Sequence, residues 1–216
     1  MASAPARPEI DNHTMKLIAG LIALALGPLT TLLAKEPLES ISAAYWAGGV
    51  SQIIFVGFLF ATAAFFLAYN GETTREMIAS KLAALSALGV ALSPCECPGH
   101  VVLVKHLHGV SAAVMFLLLT YFCYVFYRRA LAKHHARAKA RAAIYAVCGV
   151  TMLVAIVVLA INNATDGSLS RFDRWITFHG ELTGLLAFGI SWLTASRMIP
   201  GITREDERIS ILPAMR

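Results

Sequence analysis

Apolar residues occur in six long stretches separated by short polar connections. Five stretches are close to the ~20 residues that a helix needs to cross ~30 Å of hydrocarbon, and the third is shorter. Strict alternation of apolar and polar residues, which is typical of a β-barrel, is not seen. Because backbone groups facing lipid must pair within their own segment, the pattern predicts helices. We expect six spans, at residues 16–34, 49–69, 82–94, 104–127, 143–161 and 176–196.

Composition favours one helical membrane domain. Hydrophobic residues make up 57% of the 216 positions and charged residues 14%, which excludes an ordinary soluble domain. The sequence therefore predicts an all-α, polytopic bundle at residues 15–197, with a polar segment at 1–14 and a tail at 198–216. Since the first segment contains prolines and acidic residues, a cleaved signal peptide is not expected.

The distribution of cations predicts the topology. Six Lys and Arg residues lie between Arg128 and Arg141, one lies between the first two spans and two lie between the last two. By the positive-inside rule, this cationic connection and both termini are expected in the cytoplasm of a bacterial inner membrane. The same cations would attract anionic membrane lipids. Nucleic acid is not an expected partner, because the stretch lacks aromatic stacking residues; a protein partner and the oligomeric state stay open.

This topology places most of the unusual polar side chains at the outer end. His108 and Glu181 would lie at a similar depth, about one turn below the surface, because the fourth and sixth spans enter from the same side. A carboxylate at mid-span costs about 2.5 to 3.5 kcal/mol, so Glu181 is expected to face a partner or water. The sequence predicts a polar pocket of His108, Glu181 and Ser111, joined by Ser42 or Tyr45 from the first outer connection.

Several functions are compatible with such a pocket. The pocket would bind a lipid or a small molecule, or it would support a protein partner. In the simplest case, the His108–Glu181 contact would only hold the helices of the bundle together. Alternatively, His108 and Glu181 with a third ligand, His179 or His100, would hold zinc in a metal-dependent hydrolase acting on a lipid or envelope substrate. A b-type haem between His108 and His179 is a second alternative. The sequence does not decide whether the protein is an enzyme.

Two cysteines precede the fourth span. The spacing Cys95-x-Cys97-x-x-His100 is half of a zinc site, and the expected outer location also permits oxidation to a disulfide. A structural or oxidised pair is the favoured interpretation. Cys123 and Cys148, within the fourth and fifth spans, are expected to be apolar packing residues.

Short segments through most of the chain carry a resemblance to a known family. These segments are Ser40-Ile-Ser-Ala-Ala-Tyr45, Phe55-Val-Gly-Phe-Leu-Phe60, Ala91-Leu-Ser-Pro-Cys95, His108-Gly-Val-Ser-Ala112, Tyr145-Ala-Val-Cys-Gly149 and Phe188-Gly-Ile-Ser-Trp192. In order and spacing the chain resembles uncharacterised six-helix bacterial membrane proteins of a Frag/DRAM/Sfk-like domain of unknown function. The resemblance implies the six-helix fold and carries no catalytic assignment.

A more distant likeness is to the alkaline ceramidase and adiponectin-receptor superfamily. Those membrane hydrolases use a Ser, an Asp and three His around zinc. The present chain departs from their pattern, because its last span lacks a His-x-x-x-His pair and six spans are predicted rather than seven.

Overall fold

The computed structural model describes residues 12–97 and 99–207, and this part of the chain is all-α with no β-strand. The seven α-helices are α1 Asn12–Leu32, α2 Ala44–Ala47, α3 Gly49–Ala68, α4 Thr74–Leu92, α5 Leu107–Leu131, α6 Ala136–Ala164 and α7 Ile176–Ala195. Short 3-10 turns occur at Ile41–Ala43, Leu169–Arg171 and Glu205–Glu207. The predicted helical fold class is confirmed.

The six long helices form a closed ring. Each packs on the next one along the chain, and α7 packs back on α1. Short connections, such as residues 132–135 between α5 and α6, make neighbouring helices antiparallel. One end of the ring, here called the His108 end, contains the end of α4 and the starts of α5 and α7. The opposite Arg141 end contains the end of α5 and the start of α6.

Four helices, α1, α3, α5 and α6, are long and apolar enough to cross a membrane. Large apolar side chains such as Ile53, Val150 and Leu85 are exposed on the outside of the ring. Aromatic rings fill its inside, where Trp192 is completely buried and contacts Phe66, among other rings. An apolar exterior and a packed interior fit a bundle surrounded by lipid.

Glycines bring α7 close to α1. A Cβ atom at Gly20 would lie 3.0 Å from the carbonyl oxygen of Gly189, and a Cβ atom at Gly189 would lie 3.0 Å from that of Gly20. Both sites require the absence of a side chain, as is common where membrane helices approach closely. The contact fixes the position of α7, the helix that carries Glu181.

Helix α4 starts earlier than the predicted third span, which was expected to begin at residue 82. Its first turn is a capping box, in which Thr73 Oγ1 accepts a hydrogen bond from the backbone N–H of Glu76 at 3.3 Å. The Glu76 side chain in turn accepts from the Thr73 hydroxyl at 2.8 Å and from the Glu72 N–H at 3.2 Å. Polar residues thus begin this helix, and hydropathy alone missed them.

Two other predicted boundaries need correction. The cationic stretch from Arg128 to Arg141 is mostly helical, because α5 continues to Leu131 and α6 begins at Ala136. Helix α1 begins at Asn12, inside the segment predicted as polar and separate at residues 1–14. The rest of that segment, residues 1–11, and residues 208–216 of the predicted tail lie outside the described residues.

Candidate functional site

Ser42 lies in the connection between α1 and α3, on the 3-10 turn Ile41–Ala43. Ser40 caps this turn, because its Oγ accepts a hydrogen bond from the Ala43 N–H at 3.0 Å. Both serines are buried, each with 8% of its surface exposed. The cap holds the turn against the His108 end of the ring and directs the Ser42 hydroxyl toward α5 and α7.

Glu181, in the second turn of α7, accepts hydrogen bonds from the same 3-10 turn. Its Oε2 accepts from the backbone N–H groups of Ile41 at 2.5 Å and Ser42 at 3.2 Å. Its Oε1 lies 2.5 Å from the Ser42 Oγ. The carboxyl group therefore satisfies N–H groups at the start of a helical segment, which otherwise have no intrahelical partner. The partner expected for Glu181 is the turn around Ser42.

His108, in the first turn of α5, reaches Ser42 from the other side. Its Nε2 lies 3.0 Å from the Ser42 Oγ, and its Nδ1 lies 2.7 Å from the carbonyl oxygen of Ser93. The imidazole is buried, with 8% of the residue exposed. Ser93 follows the last residue of α4, so its carbonyl is one that the helix leaves free for a side chain. Two fixed hydrogen bonds orient the ring.

The hydrogen bonds among His108, Ser42 and Glu181 can be satisfied by two arrangements of their protons. The Ser93 carbonyl only accepts, so His108 Nδ1 carries the hydrogen of that bond. If His108 is neutral, Ser42 donates to Nε2, and Glu181 must be protonated to donate to Ser42. If His108 is an imidazolium, Nε2 donates to Ser42 and Ser42 donates to a Glu181 carboxylate. Both arrangements have zero net charge, and they differ only by a proton shift through the Ser42 hydroxyl.

Ser111 and Tyr45, the other predicted pocket residues, lie nearby without joining this hydrogen-bonded unit. Ser111 packs on Gly89 of α4, where its Oγ would be 2.4 Å from an added Cβ atom. Tyr45 is half-buried, and its ring makes an edge contact with Trp46 at 5.5 Å between centroids. Of the five predicted residues, the structure brings together His108, Ser42 and Glu181.

The remaining histidines predicted as metal or haem ligands have other partners. His179 is exposed, and its Nδ1 lies 3.2 Å from Asp173 Oδ2. His100 stacks on Trp46, with ring centroids 4.2 Å apart. Within the described residues, neither ring hydrogen-bonds to Ser42 or Glu181. Across residues 12–97 and 99–207, no three His, Cys, Asp or Glu side chains are grouped as metal ligands would be.

The cysteines before α5 form a disulfide, Cys95–Cys97, which was the favoured prediction. The Trp46 indole N–H donates to the Cys95 carbonyl at 3.0 Å, so the disulfide loop is tied to the segment that carries Ser42. Cys123 and Cys148 are free and buried, as expected of packing residues.

Sequence reasoning missed Ser93, although a local pattern points to it. Pro94 disfavours helical backbone at the residue before it, so α4 must end near Ser93 and leave carbonyls unpaired. A buried imidazole at the start of the next helix is a suitable donor for such a carbonyl.

Comparison with protein-family models, curated proteins and solved structures finds no match to this chain.

Proposed function

We propose that the chain is a six-span integral protein of the bacterial inner membrane, with the His108 end outside and both termini in the cytoplasm. The cations between Arg128 and Arg141 support this orientation through the positive-inside rule. The Cys95–Cys97 disulfide supports it too, because disulfides persist on the oxidising side of that membrane.

Cysteine labelling tests the orientation. Arg137 and Asn163 are both exposed and lie at opposite ends of α6. In intact cells, a membrane-impermeant maleimide is expected to label an Asn163→Cys variant, and to label Arg137→Cys only after permeabilisation. Labelling of Arg137→Cys in intact cells would reverse the proposed orientation.

At its outer end, this protein binds a small polar molecule or a lipid headgroup, and the His108–Ser42–Glu181 unit exchanges a proton with it. The observation that carries this proposal is the Ser42 hydroxyl, which lies 2.5 Å from a carboxyl oxygen and 3.0 Å from an imidazole nitrogen. This hydroxyl therefore joins two titratable groups, the imidazole on α5 and the carboxyl group on α7. Two titratable groups joined through a hydroxyl can give a proton to a ligand at one end and recover it at the other.

Mass spectrometry of the protein purified from its native membrane tests the binding proposal. The wild-type protein is expected to retain a bound compound at nearly one molecule per chain. A Ser42→Ala variant is expected to lose this compound. Ser86→Ala is the matched control, because Ser86 lies on the outer surface of α4 and its hydroxyl donates to the Leu82 carbonyl of the same helix at 2.9 Å. Equal compound content in all three proteins would contradict the proposal.

Acyl transfer through Ser42 is a second candidate function, and the Ser42–His108 contact favours it. An imidazole nitrogen 3.0 Å from a serine oxygen is within reach to act as a general base. The Ser42 oxygen would attack the acyl carbonyl of an ester while its proton passes to His108 Nε2. The bond from the acyl carbon to the leaving alcohol would then break as His108 returns that proton to the alcohol, and water activated by His108 would release the acyl group from Ser42. The bond from Nδ1 to the Ser93 carbonyl would orient the ring in place of a carboxylate.

A fluorophosphonate probe distinguishes this enzyme from a binding protein. If Ser42 is an activated nucleophile, the probe should label the wild type and leave Ser42→Ala and His108→Ala unlabelled. An unlabelled wild-type protein that still retains its bound compound would support binding without acyl transfer.

A further inference from the structure

A small cavity lies at the Arg141 end of the ring. It adjoins the ends of α5 and α7 that are remote from Ser42. Its volume is about 40 Å³. A water needs about 10–15 Å³ of such space, so the cavity has room for about three waters or a small anion. Five cationic side chains and one acidic side chain line it: Lys16, Arg129, Lys133, Arg141, Arg197 and Glu72.

Lys16 is the most unusual of these side chains. It comes from α1 and is buried, with 6% of its surface exposed. Its ammonium lies over the rings of Tyr69 at 5.4 Å and Phe126 at 5.2 Å. Within the described part of the chain, its ammonium has no carboxylate or other hydrogen-bond acceptor. Because Lys16 lines the cavity, its ammonium can take an acceptor only from what enters there, and an anion satisfies a largely buried charge better than water does.

The charges around the cavity do not balance. Glu72 and Glu76 both pair with Arg129, at 3.1 and 2.5 Å. Glu207 pairs with Lys133 and with Arg141, the latter at 2.9 Å. Three carboxylates thus serve three of the five cations. Lys16 and Arg197 make no ion pair with any described residue, so the cavity keeps an excess of two positive charges.

We propose that this cavity binds a phosphate-type oxyanion, supplied either as free phosphate or as the headgroup of an anionic lipid. Lys16 and Arg197 would supply its first charge-assisted hydrogen bonds. The Glu207 carboxylate already pairs with Lys133 and Arg141, so it would compete with a bound anion for these two cations. The site is separate from the His108–Ser42–Glu181 unit, which lies at the other end of the ring.

Three single variants of the full chain test the proposal. Lys16→Met removes the unpaired buried charge while keeping an apolar side chain of similar length. Glu207→Gln removes the competing carboxylate and lies outside the long helices. Lys139→Met is the matched control, because Lys139 is an exposed cation on α6 that does not line the cavity.

Two probes distinguish the sources of the anion. Inorganic phosphate binding is measured by calorimetry in detergent, and phosphatidylglycerol binding by native mass spectrometry from mixed micelles. For the probe that binds, Lys16→Met is expected to weaken binding about tenfold, Glu207→Gln to strengthen it about threefold, and Lys139→Met to leave it unchanged. Binding of phosphate alone would assign the free anion, and binding of phosphatidylglycerol alone the lipid headgroup.

The proposal is overturned if the wild type binds neither probe. It is also overturned if Lys16→Met and Glu207→Gln bind with the same affinity as Lys139→Met. The second result would mean that any binding is a general attraction of anions to a cationic surface.

Discussion

The two ends of this helix ring hold buried polar groups in opposite ways. At the His108 end, His108, Ser42 and Glu181 form a hydrogen-bonded unit that has no net charge in either of its two proton arrangements. At the Arg141 end, five cations and Glu72 line a cavity, and ion pairs join two of these cations to carboxylates outside the lining, Arg129 to Glu76 and Arg141 to Glu207.

The difference follows from what each arrangement requires of its neighbours. A neutral unit can rearrange its proton without a counterion, so it suits a site that exchanges protons with a ligand. An uncompensated cluster of cations needs an anion, so it suits a site that recruits one. The first end depends on hydrogen-bond geometry, whereas the second depends on charge. The same kind of substitution should therefore have different consequences at the two ends.

The largest effect is expected from breaking the buried ion pair at the Arg141 end. Glu76 has 2% of its side chain exposed, and its Oε1 lies 2.5 Å from Arg129 Nη2. Replacing it by Gln leaves Arg129 without its buried partner and weakens the capping box of α4. Loss of one partner from a buried pair costs about 3–5 kcal/mol. We expect a clear fall in the midpoint of thermal unfolding in detergent.

Glu72→Gln is the control for that experiment. Glu72 also pairs with Arg129, but 62% of its side chain is exposed, and exposed pairs contribute about 0–1 kcal/mol. Equal destabilisation by the two variants would show that burial of Glu76 is not what makes its pair important.

A smaller effect is expected from pH, through Glu207. Burial alone would raise the pKa of Glu207, but hydrogen bonds from Lys133 and Arg141 outweigh it and lower the pKa from 4.5 to about 2. The pairing therefore stabilises the fold fully above pH 4.5, and this contribution is lost as the pH falls toward about 2. Allowing for solvent screening, we expect about 1–2 kcal/mol.

The measurement compares the unfolding midpoints of the wild type and Glu207→Gln across this pH range. The wild type should be more stable at pH 5, by a margin that shrinks steadily in acid. Because other carboxylates titrate in both proteins, their contributions cancel in the difference. A margin that does not change with pH would contradict the role given to the Glu207 charge.

Much of the ring could be predicted from the sequence, because each long helix contains a continuous apolar stretch. The boundaries failed where polar residues continue a helix. Thr73 and Glu76 start α4 through side-chain hydrogen bonds, and the alanine-interleaved cations after Arg128 extend α5 and begin α6. Hydropathy registers neither feature, although the Thr-x-x-Glu spacing of the capping box is visible in the sequence.

The two candidate sites differ in how far the sequence could lead to them. Helix direction and depth were sufficient to expect His108 and Glu181 near each other, with Ser42 from the facing connection. The cavity at the Arg141 end depends on which way long side chains such as Lys16 and Arg141 turn, and on a C-terminal segment that returns to α6. Charge counting gave the cations between Arg128 and Arg141 a role in topology and in attracting anionic lipids, but it did not predict a cavity, since side-chain direction is decided by packing.

The smallest effect is expected at the His108 end, where it is measured as a coupling energy. His108 and Glu181 each contact Ser42, so His108→Ala and Glu181→Gln should destabilise the protein non-additively. Couplings of this kind between membrane helices average about 0.6 kcal/mol and reach about 1.7.

Because Ser42 carries the interaction, the coupling should vanish when the cycle is repeated in a Ser42→Ala background. Pairing His108→Ala with Glu72→Gln, at the opposite end, should give additive losses. A coupling that persists without Ser42 would mean that the two groups interact directly or through water, and the proton path through the hydroxyl would be wrong.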